Sequence, residues 1–247
     1  MNSFAHALPF LDSPLVAIGA SLPDWLAAAD RRCRLREKRA TPFIDHEDSV
    51  VAGLAKGVVQ HHRDDYWFHT SPAFRDYEMK MAIEIREIYG NEHGMRSGFV
   101  AHVMVEMFLD SFLQKKFSGQ LERYYEIVAD ADATQIQHSI NQFATRPTTK
   151  LVPAMASFVR ERYIFDYLTD GGAVKRMNGV LKRIGLEPLD EKVLPWAATA
   201  RERVYGRVED LLCGYALEIG PHPETKPTYL VLQPSPSAEP PTLPKGG

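Results

Sequence analysis

Two short stretches concentrate side chains that can hold a metal ion or move a proton. Residues 61–69 read HHRDDYWFH, with three histidines and two aspartates. On an α-helix His61, Asp65 and His69 lie four residues apart and share one face, whereas His62 and Asp64 point elsewhere. Residues 101–110 read AHVMVEMFLD, in which His102, Glu106 and Asp110 repeat that spacing. Most of the intervening residues are apolar, so this helix should be buried. Burying a carboxylate without a partner costs on the order of several kcal/mol. A divalent cation is one such partner. Imidazole with carboxylate suits Zn²⁺ or Mn²⁺, whereas Mg²⁺ prefers an all-oxygen set. Two facing helices that present His-x-x-x-Asp and His-x-x-x-Glu can build a metal-binding core. The competing reading of each pair is a surface His–carboxylate contact one helical turn long. For both pairs together, it is a buried hydrogen-bonded network in a helical binding protein.

Those side chains need helices to carry them, and helical periodicity dominates the sequence. The stretch 15–29 is apolar around Pro23, and residues 47–69 read as a helix led by acidic residues. Ser71-Pro72 starts the next helix, which runs to about Tyr89 and stops at Gly90. A strongly apolar helix is expected over 97–117. Further helical segments are expected near 119–129, 131–144, 151–168, 172–184 and 195–217. No run alternates convincingly as a strand, and no internal repeat is visible. The expected architecture is all-α: a single multi-helix domain over 1–220 with the metal site between helices. Eight of the 17 prolines lie after residue 220, so 221–247 is expected to be a disordered tail. Its one sticky segment is TYLVL at 228–232.

Composition narrows the function. The 247 residues are 45% hydrophobic and 25% charged, enough for a sizeable core. A net charge of −3 gives no global attraction to nucleic acid. Five of the nine histidines fall between residues 61 and 102. The two cysteines, Cys33 and Cys213, form no pairing motif, which suits a reducing compartment and excludes a thiolate zinc site. No apolar run approaches the roughly 18 to 20 residues of a membrane span. MNSFAHALPF has neither a basic lead nor a long apolar core, so no signal peptide is expected and the expected location is cytoplasmic.

Two N-terminal residues enlarge the donor set: His6 in MNSFAHA and Asp24 in GASLPDWL. Taken alone they read as a surface histidine and a helix-capping aspartate. In order, MNSFAHA, PDWL, VVAGLAKGVVQHHRDDYWFHTSPAF and AHVMVEMFLDSFL resemble the acyl carrier protein phosphodiesterase family over about residues 1–117. The resemblance implies a helical, metal-dependent enzyme that removes the phosphopantetheine arm from acyl carrier protein. It also implies metal-ligand roles for His6, Asp24, His61 and Asp65, with the family's later acidic pair falling on His102 and Glu106. The chain departs from that pattern at His102 and His69, where the family tends to carry aspartate. Both departures add imidazole. They make the ligand order similar to that of the zinc-dependent phospholipase C superfamily, so a phospholipase- or nuclease-type substrate is the alternative.

The expected metal ligands are therefore His6, Asp24, His61, Asp65, His69, His102 and Glu106. Seven donors exceed one tetrahedral ion, so two ions are expected, with Asp65 able to bridge. Asp65, Asp64 and Asp110 are the candidate catalytic carboxylates. Asp64, His62 and Asp110 are candidates for orientation or proton transfer, and a solvated or salt-bridged position is the competing reading for His62 and Asp64. Tyr66, Trp67 and Phe68 are expected to pack in the core. RRCRLREKR at 31–39 carries Arg31, Arg32, Arg34, Arg36, Lys38 and Arg39 against Glu37 alone. Such a run could steer an anionic substrate or the acidic acyl carrier protein; otherwise it is a solvated helix face.

Overall fold

The structure is a computed structural model of the chain that describes residues 1–90 and 94–212, with the short segments 217–218 and 229–230. The described residues are overwhelmingly helical. They form α1 (Ser3–Ala7), α2 (Pro14–Ala29), α3 (Glu37–Ala40), α4 (Ser49–Thr70), α5 (Pro72–Tyr89) and α6 (Gly94–Lys116). These are followed by α7 (Gln120–Asp130), α8 (Ala133–Ile140), α9 (Leu151–Glu161), α10 (Asp170–Arg183), α11 (Leu194–Tyr205) and α12 (Val208–Leu211). One hydrophobic cluster joins them, and α6 supplies Val100, Ala101, Met104, Val105, Phe108 and Leu109 to it.

Helix ends follow local chemistry. The Asp48 carboxylate accepts the Val50 N–H at 2.7 Å and caps α4, satisfying one of the donors orphaned at a helix start. Ser71 closes α4 and caps α5 by accepting from Phe74 N–H, with Pro72 in the first turn. Gly90 ends α5 at φ 80°, a left-handed value that glycine adopts without a Cβ penalty.

The contact that bears most on the polar cluster is between α2 and α4. A Cβ on Gly57 would stand 2.2 Å from Val16 O and 2.5 Å from Ala20 N, and one on Gly19 would stand 2.5 Å from Leu54 O. The two backbones therefore touch, and no side chain fits between them. This approach lets His61 Nδ1–H on α4 donate to Ala20 O on α2 at 2.9 Å. It also places Asp24, one turn further along α2, beside the same imidazole.

Several sequence expectations are corrected at boundaries. The 131–144 helix stops at Ile140. The 151–168 helix breaks at Arg162, which sits in the left-handed region at φ 45°, and continues as a tighter turn over Tyr163–Leu168. The 195–217 helix divides at Gly206 into α11 and α12. The basic run is mainly not a helix face: only Glu37–Ala40 is helical. Cys33 and Leu35 alternate inward and the arginines point out, a period-two pattern that suits an extended strap. His62 Nε2–H donates to Leu35 O at 2.7 Å, and Arg39 Nε–H donates to Phe143 O at 2.9 Å, which fixes that strap to the body. Leu217–Glu218 pairs antiparallel with Tyr229–Leu230, a two-residue pairing that takes in part of TYLVL. The remainder of the expected tail, 221–228 and 231–247, lies outside the described residues, as does Cys213.

Candidate metal centre

Four helices deliver the polar side chains to one place. His6 comes from α1, Asp24 from α2, His61, Asp65 and His69 from α4, and His102 and Glu106 from α6. They converge as two adjoining groups, His6–His61–Asp65 and His69–His102–Glu106; within each, one donor atom per residue lies within 4.8 Å of the others. The expectation put the donors on two facing helices; the structure draws them from four helices and sorts them into two groups. Six of the seven expected ligands belong to them. The seventh, Asp24, stands at the edge of the first group, its Oδ1 4.0 Å from His61 Nε2.

Asp65 ties the first group together. Its Oδ1 lies 3.1 Å from His6 Nε2, and its Oδ2 lies 3.4 Å from His61 Nε2. Glu106 does the same for the second, with Oε1 at 2.9 Å from His69 Nε2 and 3.4 Å from His102 Nε2. The Met1 ammonium joins the two, at 2.7 Å from Asp65 Oδ1 and 3.2 Å from Glu106 Oε1. The imidazoles also lie side by side, with ring centroids 4.1 Å apart for His6 and His61 and 4.7 Å apart for His69 and His102.

Outer partners aim the rings. His61 gives its Nδ1–H to Ala20 O. His102 gives its Nδ1–H to Glu78 Oε1 on α5 at 2.9 Å. His6 Nδ1 faces Asp64 Oδ2 at 3.4 Å, and the Gln60 side-chain amide holds the other Asp64 oxygen at 2.6 Å. A neutral imidazole with a proton on Nδ1 has a bare lone pair on Nε2. In all three histidines that Nε2 faces a carboxylate oxygen, so either a proton on Nε2 or a cation lies between the two; a cation there is the arrangement of metal-ligating histidines.

The charges make the same point. Burial pushes the Asp24 carboxyl up to about 7; His61 opposes the rise and Asp65 adds to it. Its Oδ2 is buried without a hydrogen-bond partner. Burial likewise pushes the Asp110 carboxyl well above its usual range; the Ala5 N–H opposes this and Glu106 adds to it. Burial opposes ionisation of Glu106, yet the Met1 ammonium, His102 and His69 hold its carboxyl well below the usual range. Burial also works against Asp65, which His6, His61 and the ammonium hold low. Burial would lower the Met1 ammonium, but Glu106 and Asp65 outweigh it and hold it up at about 10. The ammonium is a stand-in for positive charge between the two groups. A donor set of imidazoles and carboxylates, an orphaned oxygen on Asp24 and a cation already drawn between Asp65 and Glu106 fit a divalent metal.

The other expected residues fall differently. Asp64 is buried beside His6 Nδ1, which corrects the solvated reading and leaves His6 as its partner. Asp110 belongs to neither donor group: it is fully buried and accepts the Ala5 N–H at 3.0 Å, anchoring the helix that carries His6. His62 faces away from the site toward the basic strap. Phe68 is core and Trp67 packs against it, but Tyr66 is 75% exposed, a correction to its expected burial. Glu78 was missed because α5 carries no histidine motif. Its only sequence signal is a carboxylate on the inner side of an amphipathic helix that follows the His-rich one. Comparison with known proteins adds no relative: no family model, curated protein or solved structure matches this chain.

Proposed function

We propose that the chain is a metal-dependent phosphodiester hydrolase, and that the phosphopantetheine linkage of acyl carrier protein is its substrate. The observation that carries the reading is the pair of adjoining His–His–carboxylate groups, with Asp65 and Glu106 facing one another across a shared position of positive charge. Divalent ions held there would lower the pKa of water from about 15.7 towards about 7 and neutralise phosphoryl charge. His6, His61 and Asp65 would hold one ion, with Asp24 at its edge, and His69, His102 and Glu106 the other; Zn²⁺ or Mn²⁺ suits these donors. Ala20, Asp64 and Glu78 keep the histidine Nε2 atoms turned inward. Asp110 holds α1 against α6 so that His6 reaches α4. The basic strap lies on the side of α4 that His62 faces, away from the donor groups, so its arginines would favour an acidic carrier at a distance from the site.

The test is metal analysis of purified full-length protein, followed by assay on bis(p-nitrophenyl) phosphate, phosphopantetheinylated acyl carrier protein, phosphatidylcholine and single-stranded DNA. Stoichiometric metal with release of the pantetheine arm is the expected result. Hydrolysis of lipid or DNA alone would instead assign a phospholipase- or nuclease-type enzyme. One observation favours a non-catalytic reading: Asp65, Glu106, four histidines and the Met1 ammonium already neutralise one another as a hydrogen-bonded network. Protein that holds no metal and cleaves none of these substrates would establish that reading.

A further inference from the structure

The His69–His102–Glu106 group is the more exposed of the two, with all three side chains partly open to solvent, whereas His6 and His61 are buried. Burial and a rigid backbone carbonyl hold His61, but nothing comparable holds His102. The ring packs against Phe74 and His69, and the side chain that holds its Nδ1 is Glu78, from a different helix. Glu78 is itself 34% exposed and is a donor in neither group. Helix α5, which brings Glu78 to His102, packs on α6 and is tied down at its start and further along. Ser71 caps its start, and further along Glu84 accepts from Trp196 Nε1–H at 2.9 Å and from the Arg203 guanidinium.

We propose that Glu78 is the positioning residue of the outer group: by accepting the His102 Nδ1–H it turns Nε2 toward Glu106 and so sets the group's affinity for a divalent cation. This rests on the metal reading above. A carboxylate behind a ligating histidine fixes ring and tautomer and raises ligand basicity, and its loss lowers metal affinity by about ten- to a hundredfold. The same carboxylate is negative, so part of its effect is long-range charge. A glutamine in its place keeps an oxygen that can accept the Nδ1–H but removes that charge.

The experiment is nitrogen-15 NMR of full-length, histidine-labelled protein titrated with Zn²⁺, comparing wild type, Glu78→Gln, Glu78→Ala and the control Glu87→Ala. Glu87 is exposed on the same helix and carries the same charge. In wild type Zn²⁺ should shift His102 Nε2, with the proton retained on Nδ1. Glu78→Ala should weaken Zn²⁺ at His102 by about ten- to a hundredfold and lose the preference for Nε2, while His61 keeps its response. Glu78→Gln should keep Nε2 ligation with a smaller loss, and Glu87→Ala should match wild type. Unchanged affinity and unchanged choice of nitrogen in Glu78→Ala would overturn the role of Glu78 and leave the metal reading standing. An equal loss in Glu87→Ala would overturn it too, by showing that charge alone acts. If no histidine of the wild type responds to Zn²⁺, the metal reading falls and takes this proposal with it.

Discussion

At the scale of single residues, the two central carboxylates, Asp65 and Glu106, are held low by the imidazoles and the ammonium around them against the opposing effect of burial. Glu106→Gln keeps the shape of the residue but removes its charge. It should lower metal content and cut phosphodiesterase activity by at least about tenfold, measured by elemental analysis and turnover on the same preparation. Glu106→Leu separates the two readings of the site. In a metal centre it should leave folded protein that no longer holds stoichiometric metal. In a plain polar network it leaves the Met1 ammonium, His69 and His102 without their carboxylate, so it should destabilise the fold by about 3–5 kcal/mol and leave metal content, already absent, unchanged. A metal-replete, fully active Glu106→Leu protein would sink the proposed function. Much of this scale could be read in advance. The four-residue spacing of His61, Asp65 and His69, and of His102 and Glu106, is a helical signal, and the structure places each set on one face. Asp64 could be read as an orienting candidate but not its partner, and Glu78 could not be read at all, since each depends on a ring from another helix: His6 lies 58 residues from Asp64, and Glu78 lies 24 from His102.

At the scale of elements, the α2–α4 contact and the α5–α11 clamp decide where those residues sit. Gly57→Ala inserts a methyl group where backbone stands 2.2 Å away. Relief would require the helices to separate, so the variant should lose about 1–3 kcal/mol or more, seen as a fall in melting temperature of roughly 2–4 °C for each kcal/mol. The His61–Ala20 hydrogen bond should weaken with it, and metal affinity should drop even though no ligand has changed. A Gly57→Ala protein that melts and binds metal like wild type would refute the close packing. In the clamp, Arg203 holds the Glu84 carboxyl below its usual value against the opposing effect of burial, with Trp196 assisting. Its folded pKa is therefore below the unfolded value of 4.5, so its stabilisation is complete above about pH 4.5 and fades as pH falls through the folded value. Wild type should thus lose more melting temperature than Glu84→Gln between about pH 5 and pH 3; parallel profiles would show that Arg203 contributes nothing there. The glycines at 53 and 57 are visible in the sequence, four apart on one helical face, and mark a close approach. The break at Arg162 was hidden, because a left-handed arginine carries no compositional signal.

At the scale of the whole molecule, the ligands come from four helices that only the folded chain brings together. A metal bound there stabilises the folded state alone, so chelation should lower the melting temperature as well as abolish activity; added Zn²⁺ or Mn²⁺ should restore both. An unchanged melt after verified metal removal would contradict this. Truncation after Gly220 should leave fold and turnover intact, because a proline-rich segment brings little apolar surface. Loss of either would show that the Leu217–Glu218 pairing with Tyr229–Leu230 is structurally required. No described helix is long and apolar enough to cross a membrane. The all-helical class was legible because apolar residues recur at helical spacing along the chain, whereas the strap at 31–36 went unrecognised because its basic residues obscured the inward alternation of Cys33 and Leu35. The hydrogen bond from Ala5 to Asp110 spans 105 residues, and it is the tether that seats α1. On a ribosome adding about 5–20 residues per second, the N-terminal histidine therefore waits roughly 5–20 s for the helix that anchors it. During that interval the first donor group belongs to a nascent chain that has no second one, so complete metal loading, on the proposed function, would be a late event in synthesis, set by the emergence of α6.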